Sequence, residues 1–375
     1  MKTGGTIRTV IAKVASRCNL NCTYCYIYNH EDKSFLSRPR FMSDEVFESM
    51  LSRMLTYCDR RTNHTLSLVF HGGEPTLMPP DVFDRLAECA QRVLGKRLRS
   101  ISIQTNATLI DERWVRIFRR HNIGVGVSLD GPPAVHDAAR VDLRGHGSYA
   151  KTMAGIRMLR EGGINPNILC VINPGHSGLE VYRHFRREAV TWMSFLLPDV
   201  SHDSKHFFYP ALGPTPVADY LIPVFDEWFG EDNPNVVIGI FWDLIQRLLG
   251  GSGSTDAFGN PLMTYVIVET DGSIEALDAL RVCEQGLANS GLNVLTREFD
   301  DVQAHSSSLL AQALGEGFPL APVCQRCQFR DVCGGGFLPH RYSRANGFNN
   351  PSVWCQDILK LLRHIRERIE VAIPA

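Results

Sequence analysis

The chain has 375 residues, 44% of them hydrophobic and 21% charged, with a formal net charge of -1. That length suffices for a large core and suggests two domains, and the near-neutral balance excludes a surface whose overall charge draws in nucleic acid or an anionic membrane. No run of about 18 apolar residues occurs, and the apolar start is broken by Lys13 and lacks a small-residue cleavage site, so a cytoplasmic protein is expected.

Up to about residue 197, short β-branched runs alternate with amphipathic segments of helical length, the pattern of repeated βα units and a parallel sheet. TVIAKVA, LSLVFHG, SISIQTN, GVGVSLD, ILCVIN and WMSFLLP are the predicted strands, with helices near 43–58, 80–94, 111–121, 148–162 and 178–189. Six such units make a partial (β/α)6 barrel of the α/β class. Its chemistry belongs at the carboxyl ends of the strands, where SRCNLNCTYC, HGGEPT, QTNA, SLDGP and LPDVSHD fall. The pattern then changes. Helices near 216–229 and 235–249 lead to a GGSGS turn, a hairpin signalled by Asp271-Gly272, a second cysteine group and a final amphipathic helix.

Eleven cysteines without a secretory signal point to metal or redox chemistry rather than to a disulfide framework. CNLNCTYC spaces Cys18, Cys22 and Cys25 as C-x3-C-x2-C. A structural zinc wants four protein donors in a closed site, whereas three thiolates on a 4Fe-4S cluster leave one iron open to bind and reduce a small molecule. Cys324, Cys327, Cys333 and Cys355 supply four thiols, which by spacing alone suit a zinc ribbon or a cluster equally. Cys58, Cys89 and Cys170 read as small buried hydrophobes.

The first group, with Tyr24 before its third cysteine, resembles the signature of the radical SAM superfamily. The resemblance implies that the open iron binds S-adenosylmethionine, whose one-electron cleavage yields a hydrogen-abstracting 5'-deoxyadenosyl radical. HGGEPTL matches the family's GGEP run, which implies that Gly72, Gly73, Glu74 and Pro75 hold the SAM ammonium. Gln104, Asn106, Ser128 and Arg140 match positions near the SAM ribose and carboxylate. A zinc site plus a structural loop is the plainer alternative, and the order and strand placement of the motifs stand against it. The second group resembles the SPASM domain, which implies a fully ligated auxiliary 4Fe-4S cluster. Where that domain usually holds another cluster, this chain has Glu269 to Leu277 around Gly272, and Phe337, in place of thiols, and Cys283 is off register. Two 4Fe-4S clusters are therefore expected, with residues 1–230 as the barrel, 231–262 as a bridging helical region and 263–375 as the SPASM-like domain.

CGGGFLPHRYSRANGFNNPSVWCQDILKLL is similar to maturases that form three-residue cyclophanes, the XYE, FXSXX and glycine-rich repeat group. This implies a radical SAM oxidoreductase that takes a Cβ hydrogen from a ribosomally made precursor peptide and joins that carbon to an aromatic ring. The auxiliary cluster would accept an electron, and a flavodoxin or ferredoxin would be the low-potential donor. With the first strand near residue 7, no leader-binding domain is expected before it. The alternatives are an anaerobic sulfatase maturase oxidising Cys or Ser to formylglycine, to which HGGEPTL and SLDGP are also similar, and a non-catalytic iron-sulfur binding module. Asp278 matches a catalytic aspartate of the sulfatase maturases, which implies a proton acceptor; its plainer reading is a hairpin-end carboxylate accepting backbone bonds. Asp199, His202, Asp203 and His206 read as a polar loop, and RIFRRHN and LLRHIRER as solvated helix faces.

Overall fold

The structure, a computed structural model, describes residues 5–209, 212–253, 255–304 and 308–372. Among the described residues ten strands run in chain order: β1 (Thr9–Ala15), β2 (Leu66–Gly72), β3 (Leu98–Thr105), β4 (Ile123–Ser128), β5 (Asn167–Val171), β6 (Trp192–Leu196), β7 (Val237–Ile238), β8 (Tyr265–Val268), β9 (Ser273–Glu275) and β10 (Asn289–Asn293). The six predicted strands and the helices between them are all present, the helices as Asp44–Asp59, Pro80–Leu94, Glu112–Arg120, Tyr149–Glu161 and Gly178–Arg187. The parallel α/β class of a partial barrel is thereby established. β1 is buried along most of its length, as a central parallel strand must be. Helix starts follow ordinary capping: the side chains of Ser43, Asp111 and Ser177 accept first-turn N–H groups.

The chain forms two compact units, one of Met1–Ser128, Ala139–Pro166 and Leu262–Gly317, the other of Leu129–Ala138, Asn167–Pro261 and Phe318–Ala375. In the first, β1, β2, β3 and β4 pair in parallel in that order, and β8 adds to the free side of β1, also parallel. β8, β9 and β10 continue as antiparallel neighbours. Gly272 takes a φ of +83° at the turn between β8 and β9, which explains the Asp-Gly signal. In the second unit β5, β6 and β7 pair in parallel, and the helices Pro216–Glu231, Gly239–Leu248 and Cys355–Ala372 gather around Phe225, Phe241 and Leu362. No helix among the described residues is long and apolar enough to cross a membrane.

Packing of Tyr149–Glu161 fixes the loop after β3. Thr152 donates its hydroxyl to the Asn106 carbonyl at 3.0 Å, and Gly155 sits so close that a Cβ there would lie 2.1 Å from the Ala107 oxygen. Gly155→Ala is expected to destabilise the first unit by about 1–3 kcal/mol, read as a lower melting temperature. Gly230→Ala, at an exposed helical position with open space around its Cβ, should be neutral or slightly stabilising.

Candidate active site

The carboxyl ends of β1 and β2 come together beyond the sheet. The N–H of Gly73 donates to the Ala15 carbonyl at 2.8 Å, and that of Glu74 to the Arg17 carbonyl at 2.9 Å. A Cβ on Gly72, whose φ is +154°, would fall 2.3 Å from the Ala15 oxygen; one on Gly73 would fall 1.9 Å from the Tyr28 hydroxyl and 2.4 Å from the Arg17 oxygen. Only glycines allow this approach. It seats the GGEP run directly against the start of the thiol loop.

The thiol loop is held on its other side too. Asn21 N–H donates to the Val141 carbonyl and Thr23 N–H to that of Ala139, while the Asn29 amide donates to the Cys22 carbonyl at 2.7 Å. Cys18 accepts the Leu20 N–H at 3.3 Å, and the Asn106 amide lies 3.8 Å from its sulfur. Arg140 Nη1 lies 3.9 Å from Cys22 Sγ, with its guanidinium 5.6 Å from the Tyr24 ring centroid. Gln104 donates to the Ser128 hydroxyl at 2.9 Å. Cys18, Cys22, Cys25, Tyr24, Gly72, Gly73, Glu74, Pro75, Gln104, Asn106, Ser128 and Arg140 thus all fall in the first unit. Burial, helped by the Glu74 charge, pushes the Cys18 thiol well up, and burial raises that of Cys25. These thiols need a cation or cluster to ionise.

Glu74 is a hub. Its Oε1 accepts from the Thr76 N–H (2.9 Å), the Thr76 hydroxyl (2.6 Å) and the Thr105 hydroxyl (2.7 Å), and its Oε2 from the Asn106 N–H (2.7 Å). Full burial still raises its pKa, the hydrogen bonds offsetting part of that. Oε2 keeps acceptor capacity for a cation.

Lys13 and His71, which the motif reading left without a role, stand beside Asp278. Lys13 and His71 are register partners on β1 and β2, so their side chains share a face. Lys13 is 1% exposed, pairs with Asp278 Oδ2 and lies 3.1 Å from His71 Nδ1. His71 Nδ1 also accepts the Gly72 N–H at 2.8 Å, which places the ring proton on Nε2; burial lowers the ring's pKa to about 4, the Lys13 charge adding to the effect. For Asp278, burial acts to raise the pKa, and the charges of Lys13 and Arg281 lead the effects that outweigh it, holding the carboxylate ionised. Its Oδ1 is buried and has no hydrogen-bond partner. A charged carboxylate with one anchored oxygen and one without a hydrogen-bond partner has the chemistry to accept a proton. The one signal for this pair in the sequence is a lysine inside an apolar strand, TVIAKVA.

In the second unit Cys324, Cys327, Cys333 and Cys355 line one cavity of about 300 Å³ with Phe329 and Leu359. Gly334, Gly335 and Gly336 all take positive φ, and a Cβ on Gly334 would lie 2.2 Å from the Asn260 nitrogen. Burial raises the Cys333 thiol to about 12. Tetrahedral zinc with Zn–S bonds of about 2.3 Å holds its sulfurs about 3.8 Å apart. Among the described residues, the group of ligand atoms lying within 4.8 Å of one another is Glu269, Glu275 and Asp278, and neither thiol set forms one. Thiol sets not closed to that spacing leave room for 4Fe-4S clusters. Cys58, Cys170 and Cys283 are buried and Cys89 is partly exposed.

An open α/β sheet with C-x3-C-x2-C at the end of its first strand, GGEP at the end of its second and a four-thiol C-terminal site is similar to a radical SAM enzyme with a SPASM-like fold. The family model described as Radical SAM superfamily matches residues 13–186. The cofactors of that class are S-adenosylmethionine and 4Fe-4S clusters, and the seven thiols here supply the ligands for two. The chain is 28% identical over 366 residues to the cysteine-type anaerobic sulfatase-maturating enzyme of Clostridium perfringens, covering 96% of both chains. It superposes with a TM-score of 0.84 on a structure described as native anSMEcpe with bound AdoMet, at 27% identity over 97% of this chain and 98% of the other. The form of that enzyme with bound AdoMet and Kp18Cys peptide gives a TM-score of 0.83 at 26% identity, covering 97% of this chain and 98% of the other.

These findings overturn the cyclophane assignment, and with it the carbon-carbon crosslink to an aromatic ring: the curated relatives match nearly the whole chain and are named sulfatase-maturating enzymes. The tail that suggested it is framework. Arg341, 1% exposed, donates to the Phe348 carbonyl at 3.0 Å and to that of Pro319. Trp354, fully buried, donates to the Pro198 carbonyl at 3.0 Å, and Asp357 accepts the Val217 and Ala218 N–H groups. Residues chosen to pack a core say little about the reaction. Of the polar loop after β6, His202 Nε2 donates to the Pro351 carbonyl at 2.8 Å, and Asp203 accepts the Arg344 N–H.

Anaerobically reconstituted protein is expected to hold about eight irons per chain. Changing Cys18, Cys22 and Cys25 to Ala should leave about half, and Cys324→Ala should remove the other half. Iron and zinc analysis checks this: stoichiometric zinc with about four irons would refute a cluster at the second set.

Proposed function

We propose that this enzyme oxidises a cysteine or serine side chain of a peptide to formylglycine. Support comes first from the near-full-length likeness to enzymes named for that maturation, one solved with a peptide bound. The observation that carries the chemistry is the buried Lys13–Asp278 pair at the mouth of β1 and β2, with one free carboxylate oxygen.

When bound, S-adenosylmethionine and its cluster supply a radical that takes a hydrogen atom from the substrate Cβ, and the four-thiolate cluster supplies an acceptor for the electron then released. This chain's residues do the rest. Cys18, Cys22 and Cys25 hold the first cluster. Glu74 Oε2 and the carbonyls beside Gly72 and Gly73 receive the ammonium of S-adenosylmethionine, and Arg140, Asn106, Gln104 and Ser128 orient its carboxylate and ribose. Asp278 Oδ1 accepts the proton from the substrate thiol or hydroxyl as the carbon-heteroatom double bond forms. Lys13 keeps Oδ2 occupied, so the free oxygen is the one presented. Serine then yields the aldehyde directly; cysteine yields a thioaldehyde that water hydrolyses with loss of hydrogen sulfide. A low-potential carrier of the flavodoxin or ferredoxin kind delivers the initiating electron.

Incubation of the reduced holoenzyme with Cys- and Ser-containing peptides should give an aldehyde captured by a hydrazide probe, with sulfur exchanged for oxygen in the cysteine product. A modified peptide carrying no aldehyde would overturn the assignment. Asp278→Asn is expected to keep its iron and lose at least about 100-fold in peptide oxidation; wild-type turnover by that variant would remove the proton-accepting role.

A further inference from the structure

Around Asp278 the first unit buries more charge than one ion pair requires. Arg281, 3% exposed, donates to Glu269 Oε1 at 2.7 Å, pairs with Glu275, and lies 4.0 Å from both Asp278 Oδ1 and Asp32 Oδ1. Arg38 reaches Glu269 at 3.0 Å and also pairs with Glu275. Asp32 accepts the Ser34 and Gly286 N–H groups, both at 2.8 Å. The segment 32–38, just beyond the thiol loop, is thus fastened to the hairpin of β8 and β9 and to the turn that follows it.

Three buried carboxylates, Asp32, Glu269 and Glu275, and the largely enclosed Asp278 face three cations, Lys13, Arg38 and Arg281; Asp271, at 3.9 Å from Arg38, is partly in water. Burial raises Glu275 to about 7 even with Arg281 and Arg38 beside it. The guanidinium of Arg281 joins both halves of this set. It is anchored by two glutamates and faces the unpartnered Oδ1 of Asp278 at a distance too long for a hydrogen bond. It therefore favours the ionised carboxylate without consuming its free oxygen.

We infer that Arg281 is a positioning residue for Asp278, holding that carboxylate charged and its Oδ1 free through the ion cluster with Glu269, Glu275 and Arg38. The inference rests on Asp278 being the proton acceptor. Lys13 anchors one oxygen; Arg281 sets the field at the other, and its planar fork lets it grip Glu269 and Glu275 at once.

The test compares holoenzymes bearing Arg281→Gln, Arg281→Lys, Asp278→Asn and the Asp278→Asn/Arg281→Gln pair, with iron content measured on each and a Cys peptide as substrate. Arg281→Gln should lower kcat for peptide oxidation about tenfold or more with KM within about twofold, and lower the aldehyde formed per 5'-deoxyadenosine released. Arg281→Lys, which keeps the charge, should recover most of that loss. In the Asp278→Asn background, Arg281→Gln should cost less than about twofold further. Should Arg281→Gln not fold, Arg281→Gln with Glu275→Gln restores the charge count and should show the same fall in kcat. Losses that multiply in the paired variant, or a charge-balanced variant with wild-type kcat, would overturn the positioning role. Wild-type oxidation by Asp278→Asn would instead bring down the reading on which it rests.

Discussion

The mouth of the first unit depends on one steric constraint, the close approach of the chain after β2 to the chain after β1. Gly72 and Gly73 occupy points where any Cβ would overlap the backbone of Ala15 or Arg17. With the side chains absent, the hydrogen bonding between β1 and β2 runs on past the sheet, as Gly73 to Ala15 and Glu74 to Arg17. The thiol loop therefore leaves the sheet at a set height and angle. Glu74 passes that order to the next strand by accepting from Thr76, Thr105 and Asn106, and the loop after β3 is pressed down by Gly155 and Thr152. A one-carbon change at the glycine pair would reach every one of these contacts.

Two carboxylates at that mouth, Glu74 buried and Asp278 largely enclosed, meet the cost of leaving water in different ways. A charge removed from water needs donors or a counter-ion. Glu74 uses uncharged donors, which fill Oε1 and half-fill Oε2, and its pKa stays raised. Asp278 uses cations, and its pKa falls although burial alone would lift it. The first arrangement builds structure and leaves a site for a positive group. The second leaves a free basic oxygen beside a lysine that cannot move away, because it is enclosed on a central strand. The counter-ions of Asp278 come from β1 and from the turn after β9, so the enclosed aspartate keeps its charge and its place only with the hairpin docked beside β1.

The second unit shows how framework can resemble function. The run from Cys333 to Cys355 threads through three consecutive left-handed glycines, a buried arginine, a buried tryptophan and a tight carbonyl contact from Val353 to His340. Each serves to bring Cys355 to the cavity that Cys324, Cys327 and Cys333 line. Such a run can be retained while the chemistry at the substrate changes, since its contacts pack the surroundings of the four thiols. Likeness in that segment thus supported the four-thiol site and misdirected the choice of reaction.

The sequence by itself determined the alternation of strands and helices, the hairpin at Asp271-Gly272, and both thiol sets, because these are local: they follow from periodicity, turn chemistry and ligand spacing within a few residues. It also placed the GGEP run, whose glycines announce a close approach without saying to what. The tertiary structure decided which groups meet. Lys13 and His71 are 58 residues apart in the chain and become partners only through strand register, and Arg38 joins Glu275 across 237 residues. Buried charges of this kind carry no periodic signal, and a lysine in a strand or a glutamate in a hairpin reads as solvent-facing until the fold encloses it and supplies the opposite charge.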